Sequence, residues 1–347
     1  HYLKWTHHWF SDYTPIMEKI LNSNLNRAKS SKKDEFYTQY ADIENEMQHY
    51  ATHFAGKVIY CNCDDPRVSN FFRYFSLHFE ELGLKKLIAT CYRSVQMDAF
   101  SRNDAEQAIC LEYEGERNKG GDANSKEVRV MHLRGDGDFR SDESVELLNQ
   151  ADIVVTNPPF SLFREFISQL ITYEKKFIVL GNQNAIIYKE VFPFIKANRL
   201  WLGVNNGGTK WFEVPDDYEI NTRSRMKTEN GKKFISMGSI MWHTNLDIRK
   251  RHEELILHKR YNAQEYPAYD NYDAIEIARF SEIPMDYHGV MGVPITFLDK
   301  YNPEQFEIVE SNRGIDQDPA GIYGRGSFIN GKETFKRLFI RNRKPSK

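Results

Sequence analysis

The tetrapeptide Asn157-Pro158-Pro159-Phe160 constrains this chain more than any other feature of its 347 residues. It follows an apolar run, Asp152-Ile153-Val154-Val155-Thr156, that reads as a buried parallel strand. Ser161 and an amphipathic run (Leu162, Phe163, Phe166, Ile167, Leu170) come after it and read as a helix. Strand, tight loop and helix in that order predict an open α/β sheet, in which ligands bind at the carboxyl ends of the strands. Pro158 and Pro159 have no N–H and a fixed φ. Asn157 and Pro158 each precede a proline and are pushed away from helix. The loop is therefore stiff, with carbonyl oxygens turned outward beside an amide and an aromatic ring. It offers two acceptors to an amino group and a face to a flat ring. The competing reading is a proline-rich turn that only connects two elements.

The rest of the first two thirds supports such a sheet. Asp42 is placed to cap a helix with Ile43, Met47, Tyr50 and Phe54 on one face, stopped by Gly56. Runs at 57–61, 87–91, 128–132, 177–180 and 200–202 read as strands. Helices are expected at 68–82, at 142–150 with Ser141 as cap, and at 188–197. Residues 94–127 read as an excursion containing a helix and a loop. The alternation predicts an α/β fold with a doubly wound, mostly parallel sheet. After about residue 204 the periodicity weakens and aromatic and basic residues dominate. Order returns at 293–298, a strand, and at Asn302-Pro303, which reads as the cap and first residue of a short helix. The expected divisions are an arm over 1–30, a catalytic domain over 31–204, an inserted recognition region over 205–287, and a C-terminal segment over 288–347.

Composition excludes several classes. No apolar run reaches the length of a membrane span, and the N-terminus lacks a signal-peptide pattern. Four cysteines in so long a chain argue against a disulfide scaffold, and the plain expectation is a cytoplasmic protein. Cys61-x-Cys63 has no second close pair, so no metal is expected. No Gly-x-Gly-x-x-Gly follows a strand, which disfavours a nicotinamide enzyme. The formal net charge is −2, yet charge is segregated. Arg223, Arg225, Lys232, Lys233, Arg249 and Arg251 belong to one basic stretch, and Lys336, Arg337, Arg341 and Arg343 to a basic tail, while 136–152 is acidic. Local basic patches on a neutral protein suit phosphates.

The Asn-Pro-Pro-aromatic loop resembles the motif with which amino-methyltransferases hold a planar amine. Further segments are similar to the EcoRI-type family of adenine-specific DNA methyltransferases. They are Ser31 to Tyr40, Cys61 to Phe72, Asp152 to Phe163, and Gly289 to Phe297, in family order over most of the chain. The resemblance implies a Rossmann-like methyltransferase fold that binds S-adenosylmethionine and acts on adenine in double-stranded DNA. It implies that Phe36, Tyr37, Thr38 and Gln39 meet the methionine end of the cofactor. It places Asn62, Asp64 and Asp65 in a loop where most methyltransferases carry glycines. This chain has none there, but the carboxylates suit a cofactor bearing an ammonium and a sulfonium. An acid for the ribose is also missing after the second strand, where Tyr92 stands as a stacking or hydrogen-bonding candidate. Asp138 and Phe139 match the segment near the cofactor's adenine ring.

On this resemblance the target base is extruded from the duplex. Phe160 stacks on it, and the Asn157 side-chain oxygen and the Pro158 carbonyl accept its amino hydrogens. Arg223, Arg225, Lys232, Lys233, Arg249 and Arg251 are expected to meet DNA. The aromatic run from Tyr266 to Tyr272 fits DNA contact and core packing equally. A monomer is expected, with a cognate restriction endonuclease as a functional partner and association with the nucleoid through DNA. The alternatives are an RNA base or a protein glutamine as acceptor, or an inert DNA-binding relative.

Overall fold

The computed structural model describes residues 36–64, 66, 69–91, 108–115, 128–214, 225–236, 238–313 and 326–346. The expected arm, together with Asp65, Tyr92 and Arg223, lies outside the described residues. In chain order, β1 is Tyr37–Thr38 and α1 is Tyr40–Met47, followed by β2 (Val58–Cys61), α2 (Asn70–Leu77), β3 (Lys86–Thr90) and β4 (Ile109–Tyr113). Next come β5 (Arg129–His132), α3 (Asp142–Gln150), β6 (Ile153–Thr156), α4 (Phe163–Thr172), β7 (Lys176–Asn182), α5 (Phe192–Lys196) and β8 (Trp201–Leu202). They are followed by β9 (Trp211–Val214), β10 (Met226–Glu229), β11 (Lys232–Ser236), β12 (Ile240–Thr244), β13 (Ile275–Glu276) and β14 (Val290–Pro294). The last are β15 (Phe306–Ser311), β16 (Phe328–Ile329), β17 (Lys332–Glu333) and β18 (Arg337–Asn342).

The chain forms two compact units, residues 1–159 with 209–238 and residues 160–208 with 239–347. In the first, strands lie in the order β5-β4-β3-β2-β6. β2 is parallel to β3 and to β6, and β4 and β5 run antiparallel at the edge. Every residue of β2 and β6 is buried, as expected of strands covered on both faces. Asp152 sets their register: its carboxylate accepts from the Val58 N–H at 2.8 Å and its own N–H donates back to the Val58 carbonyl at 2.9 Å. Ser141 caps α3 by accepting from the Ser144 N–H at 3.2 Å, and Asp142 and Glu143 lie in the first turn, where the helix dipole favours acids. A second sheet of this unit, β1-β9-β11-β10, is antiparallel.

In the second unit β7 and β8 flank β12, both antiparallel to it. α4 buries Phe163, Phe166, Ile167 and Leu170 of the expected apolar face together with Ile171, and Leu162 lies half-buried just before the helix. His243 on β12 is fully buried with its ring edge-on to Phe163 at 5.1 Å. A further sheet has the order β13-β14-β18-β15, with Tyr269, Ala274 and Phe339 at its core.

Several expectations are corrected. The helix near Asp42 starts at Tyr40 with Gln39 at the cap position, so Asp42 lies inside its first turn. The excursion at 94–127 contains β4, an antiparallel partner of β3 whose buried pattern Ile109-Cys110-Leu111 was not read as a strand. The expected α/β sheet with a parallel centre stands at β3-β2-β6, and β4 and β5 extend it antiparallel. The strand expected at 293–298 is β14 followed by a 3-10 turn, Ile295–Lys300. Asn302 opens a turn and no helix: its side chain accepts from the Glu304 N–H at 2.8 Å, and β15 begins at Phe306. The Tyr266–Tyr272 run packs inward. Tyr266 donates to the Glu282 carbonyl at 2.9 Å, and Tyr269 and Tyr272 lie on the Phe339 ring at 5.2 and 4.6 Å.

Candidate functional site

The carboxyl ends of β2, β3 and β6 carry the polar residues that the sequence singled out. Thr156 ends β6, and Asn157 and Pro158 follow it into the loop, all three buried. The Asn157 amide is fixed by one hydrogen bond, its Nδ2 donating to the Phe36 carbonyl at 2.8 Å. Its Oδ1 is buried and has no partner. Phe36 itself lies edge-on to Phe212 at 6.4 Å, and the residues after it pair with β9, so the anchor is part of a sheet. Spending the amide N–H on a fixed backbone carbonyl leaves the amide oxygen as the free, acceptor-only end.

Asn157 Oδ1 is one of several such oxygens. Thr38 Oγ1, Asn62 Oδ1 and Thr156 Oγ1 are also buried without a hydrogen bond. All four belong to the segments the sequence marked, at β1, after β2, and at the end of β6. Buried polar atoms are normally paired, and each exception calls for an explanation. Each of these oxygens can accept an N–H or O–H from a ligand that reaches it. Thr156 was not singled out from the sequence, though its place directly before Asn157 on a buried strand was the available signal.

The loop after β2 is shaped by two residues. Cys63 has a φ of +87°, a conformation L side chains rarely adopt, at the position where a glycine-rich loop was missed. Asp64 is buried and accepts from the Ser69 hydroxyl at 3.3 Å. Ser69 in turn caps α2, accepting from the Phe71 and Phe72 N–H groups at 3.2 and 3.5 Å. Asn70 Nδ2 donates to the Thr38 carbonyl at 2.7 Å, which ties α2 to β1. Burial and the Asp64 carboxylate hold the Cys63 thiol well above its ordinary range, so it stays protonated and inert.

The Gly135–Phe139 segment lies against the end of β3. A Cβ on Gly137 would meet the Cys91 carbonyl oxygen at 2.1 Å, so only glycine fits there, at φ +76°. Phe139 is buried and Asp138 is half-buried. The Asp138 carboxylate is held by Arg140, whose Nε and Nη2 donate at 2.9 and 2.7 Å, and this pairing keeps its pKa below the usual value. Asp138 is therefore committed to Arg140 on its own loop. Gln39 and Tyr37 are half-buried beside Thr38.

The basic residues fall apart into different environments. Arg225 and Arg249 are exposed, and Lys233 is half-buried. Lys232 is exposed and pairs with Glu213 at 2.9 Å. Arg251 is largely enclosed, with its guanidinium 3.7 Å above the Trp201 ring and bonded to Asn198. Among the described residues no cluster of His, Cys, Asp and Glu can hold a metal ion, and no helix is long and apolar enough to cross a membrane.

The chain is similar to known proteins along most of its length. The sequence model of the family described as adenine-specific methyltransferase EcoRI matches residues 24–344. The chain is 50% identical to the type II methyltransferase M.EcoRI of Escherichia coli over 329 residues, 94% of this chain and 98% of that protein. It is 43% identical to a type II methyltransferase of Mycoplasma genitalium, over 83% of this chain and 86% of the relative. It is 36% identical to the type II methyltransferase M.MpnI of Mycoplasma pneumoniae, over 92% of this chain and 98% of the relative. No solved structure gives a significant match.

Proposed function

The chain belongs to the EcoRI family of adenine-specific methyltransferases, and we propose that it transfers a methyl group to the exocyclic amine of adenine at specific sites in double-stranded DNA. The observation that carries this reading is the Asn157 amide: its nitrogen is fixed on the Phe36 carbonyl and its oxygen is buried and unpartnered. Such an oxygen is set in advance to accept from an amine. It strengthens its hold as positive charge grows on the nitrogen during attack.

The residues divide the work as follows. The Asn157 Oδ1 and the Pro158 carbonyl accept the two amino hydrogens and hold the nitrogen in line. Positioning of this kind lowers a barrier by several kcal/mol, up to about 7–11 kcal/mol in the best cases. Phe160 stacks on the base, which must leave the duplex to reach the loop. No strong base is needed before attack, because the proton leaves to water once the nitrogen is charged. S-adenosylmethionine, when bound, supplies an electrophilic methyl group on a sulfonium. Thr38 and Asn62 present acceptors to its ammonium, and the Asp64 carboxylate favours both of its positive charges. Asn62, Asp64 and Asp65 thus take the place of a glycine loop. Phe36, Tyr37 and Gln39 complete the methionine end, and Phe139 packs against the adenine end with Asp138. The ribose contact is left to Tyr92.

Within this reading the 205–287 region recognises the target, and Arg223, Arg225, Lys232, Lys233 and Arg249 meet phosphates or guanine edges. Arg251 supports the region through Trp201. Monomeric action, a cognate endonuclease and a cytoplasmic place on the nucleoid fit an enzyme that modifies one adenine at a time.

The test uses methyl-labelled S-adenosylmethionine and unmethylated genomic DNA, with labelled nucleosides identified by mass spectrometry. Methylated adenine is expected with the wild-type protein and not with Asn157→Ala. Measured cofactor binding with no label in DNA overturns the reading and moves the acceptor to RNA or protein.

A further inference from the structure

Residues 36–39 serve both halves of the candidate site. Thr38 presents a buried oxygen without a partner, and the Phe36 carbonyl fixes the Asn157 amide. The backbone mounting of this segment is slight. β1 is the edge strand of the β1-β9-β11-β10 sheet and pairs with β9 over two residues. So short a pairing is weak on its own.

Two side-chain amides reinforce it. Phe36 and Thr38 are two residues apart in extended chain, so their carbonyls point the same way. Asn157 Nδ2 donates to the first at 2.8 Å, and Asn70 Nδ2 donates to the second at 2.7 Å. One amide comes from the loop after β6 and the other from the first residue of α2. Together they act on β1 as a neighbouring strand would.

Asn70 has no local task that explains it. Ser69 already caps α2 through the Phe71 and Phe72 N–H groups. Asparagine is also a weaker helix former than most residues. Its amide serves a carbonyl 32 positions earlier in the chain. The Ser69 hydroxyl meanwhile donates to the Asp64 carboxylate at 3.3 Å, so the start of α2 is bonded both to the loop after β2 and to β1.

The consequence concerns which end of the Asn157 amide is offered to a ligand. An asparagine amide has a donor end and an acceptor end, and turning it over exchanges them. With the ends exchanged, an N–H would face the N–H of an amine. The Phe36 carbonyl prevents this while β1 keeps its place, and Asn70 grips the next carbonyl on the same side of that strand.

We propose that Asn70 is a positioning residue for methyl transfer. By holding the Thr38 carbonyl it fixes β1, and through the Phe36 carbonyl it keeps the Asn157 oxygen turned towards the target amine. This rests on the DNA methyltransferase reading and deepens it. In this role Asn70 acts through Asn157 and has no contact with the base or the methyl group.

The test measures single-turnover methyl transfer by the full-length chain, with saturating S-adenosylmethionine and a duplex that the wild-type protein methylates. Asn70→Asp is the decisive variant. It keeps the size of the side chain and suits the first turn of a helix, where acids are favoured, but it has no N–H to give. Asn70→Asp and Asn70→Ala are both expected to slow transfer about tenfold, the scale of one hydrogen bond, with the KM for DNA unchanged. In the Asn157→Ala background no amide is left to orient, and the same two changes are expected to have no further effect on the rate. An Asp variant with the wild-type rate shows that only the helix start matters and overturns the inference. A tenfold loss that persists in the Asn157→Ala background overturns it too, because Asn70 then acts by another route. Both results leave wild-type methylation of DNA standing. A wild-type protein that puts no label on DNA overturns the functional reading, and the inference falls with it.

Discussion

The carboxyl ends of β2 and β6 and the Glu276–Arg337 pair of the β13-β14-β18-β15 sheet treat buried polar groups in opposite ways. In the sheet, the enclosed Glu276 carboxylate is saturated by Arg337 at 2.6 and 3.1 Å and by the Tyr269 hydroxyl. At the strand ends, Thr38, Asn62, Thr156 and Asn157 each keep a buried oxygen without a partner. A group paired within the chain adds to the native state's definition. A group left unpaired weakens the free protein, and its partner has to come from outside. The two regions of this methyltransferase therefore differ in what a substitution should disturb: stability in one, ligand-dependent chemistry in the other.

The largest effect is expected from breaking the saturated group. Glu276→Ala leaves the Arg337 guanidinium enclosed without its carboxylate and is expected to cost about 3–5 kcal/mol in urea unfolding. Cofactor affinity of the folded fraction should be unchanged. Asn157→Ala sharpens the contrast from the other side. It should lower methyl transfer by roughly 10²–10³, the scale of removing one preorganised group from a charge-stabilising site. Cofactor affinity and unfolding free energy should move little, and an Asn157→Ala enzyme with wild-type turnover would sink the assignment.

His243 gives an effect of about 3 kcal/mol that depends on pH. Burial lowers its pKa from 6.5 to about 4, so the folded protein holds it neutral where the unfolded chain takes a proton. Stability is unaffected by this group above pH 6.5, is lost as pH falls from 6.5 towards 4, and loses nothing more below that. At about 1.36 kcal/mol per pH unit the total comes to about 3 kcal/mol. Denaturation of His243→Gln across this window should give a flatter stability profile than the wild type. A profile with the wild-type slope would refute the role.

The smallest effects are expected at Cys63. With φ at +87°, a β-branched residue is strained, and Cys63→Val should cost about 1–3 kcal/mol and weaken cofactor binding. Cys63→Gly should stay within about 1 kcal/mol of the wild type, because relief of the backbone is offset by lost chain entropy. A tolerated valine would show that the loop shifts freely.

The legible parts of this molecule were those where one local rule acted alone. The buried runs at β2, β3 and β6 and the Ser141 cap read directly from the sequence, as did the proline loop, because sterics and capping act within a few residues. β4 was missed because it sits between polar stretches and gains its identity only by pairing with β3. The helix expected at Asn302 failed because the asparagine side chain found a turn N–H instead. At the site, residue identity pointed to Asn157, but the orientation of its amide depends on Phe36, 121 positions away. The same distance problem hid the commitment of Arg251 to Trp201 and the inward turn of Tyr269, which are properties of packing partners.

The close approach of Gly137 to the Cys91 carbonyl also has a meaning on the scale of descent. Any single base change that replaces the glycine codon by another sense codon for a different residue introduces a Cβ into space already filled by backbone. Neutral drift therefore has no path through this position, whereas Arg134 and Asp136 near it face solvent and are not confined by space in the same way. Lineages that share the loop should hold the glycine while its neighbours diverge. A lineage that has lost it should also have rebuilt the end of β3.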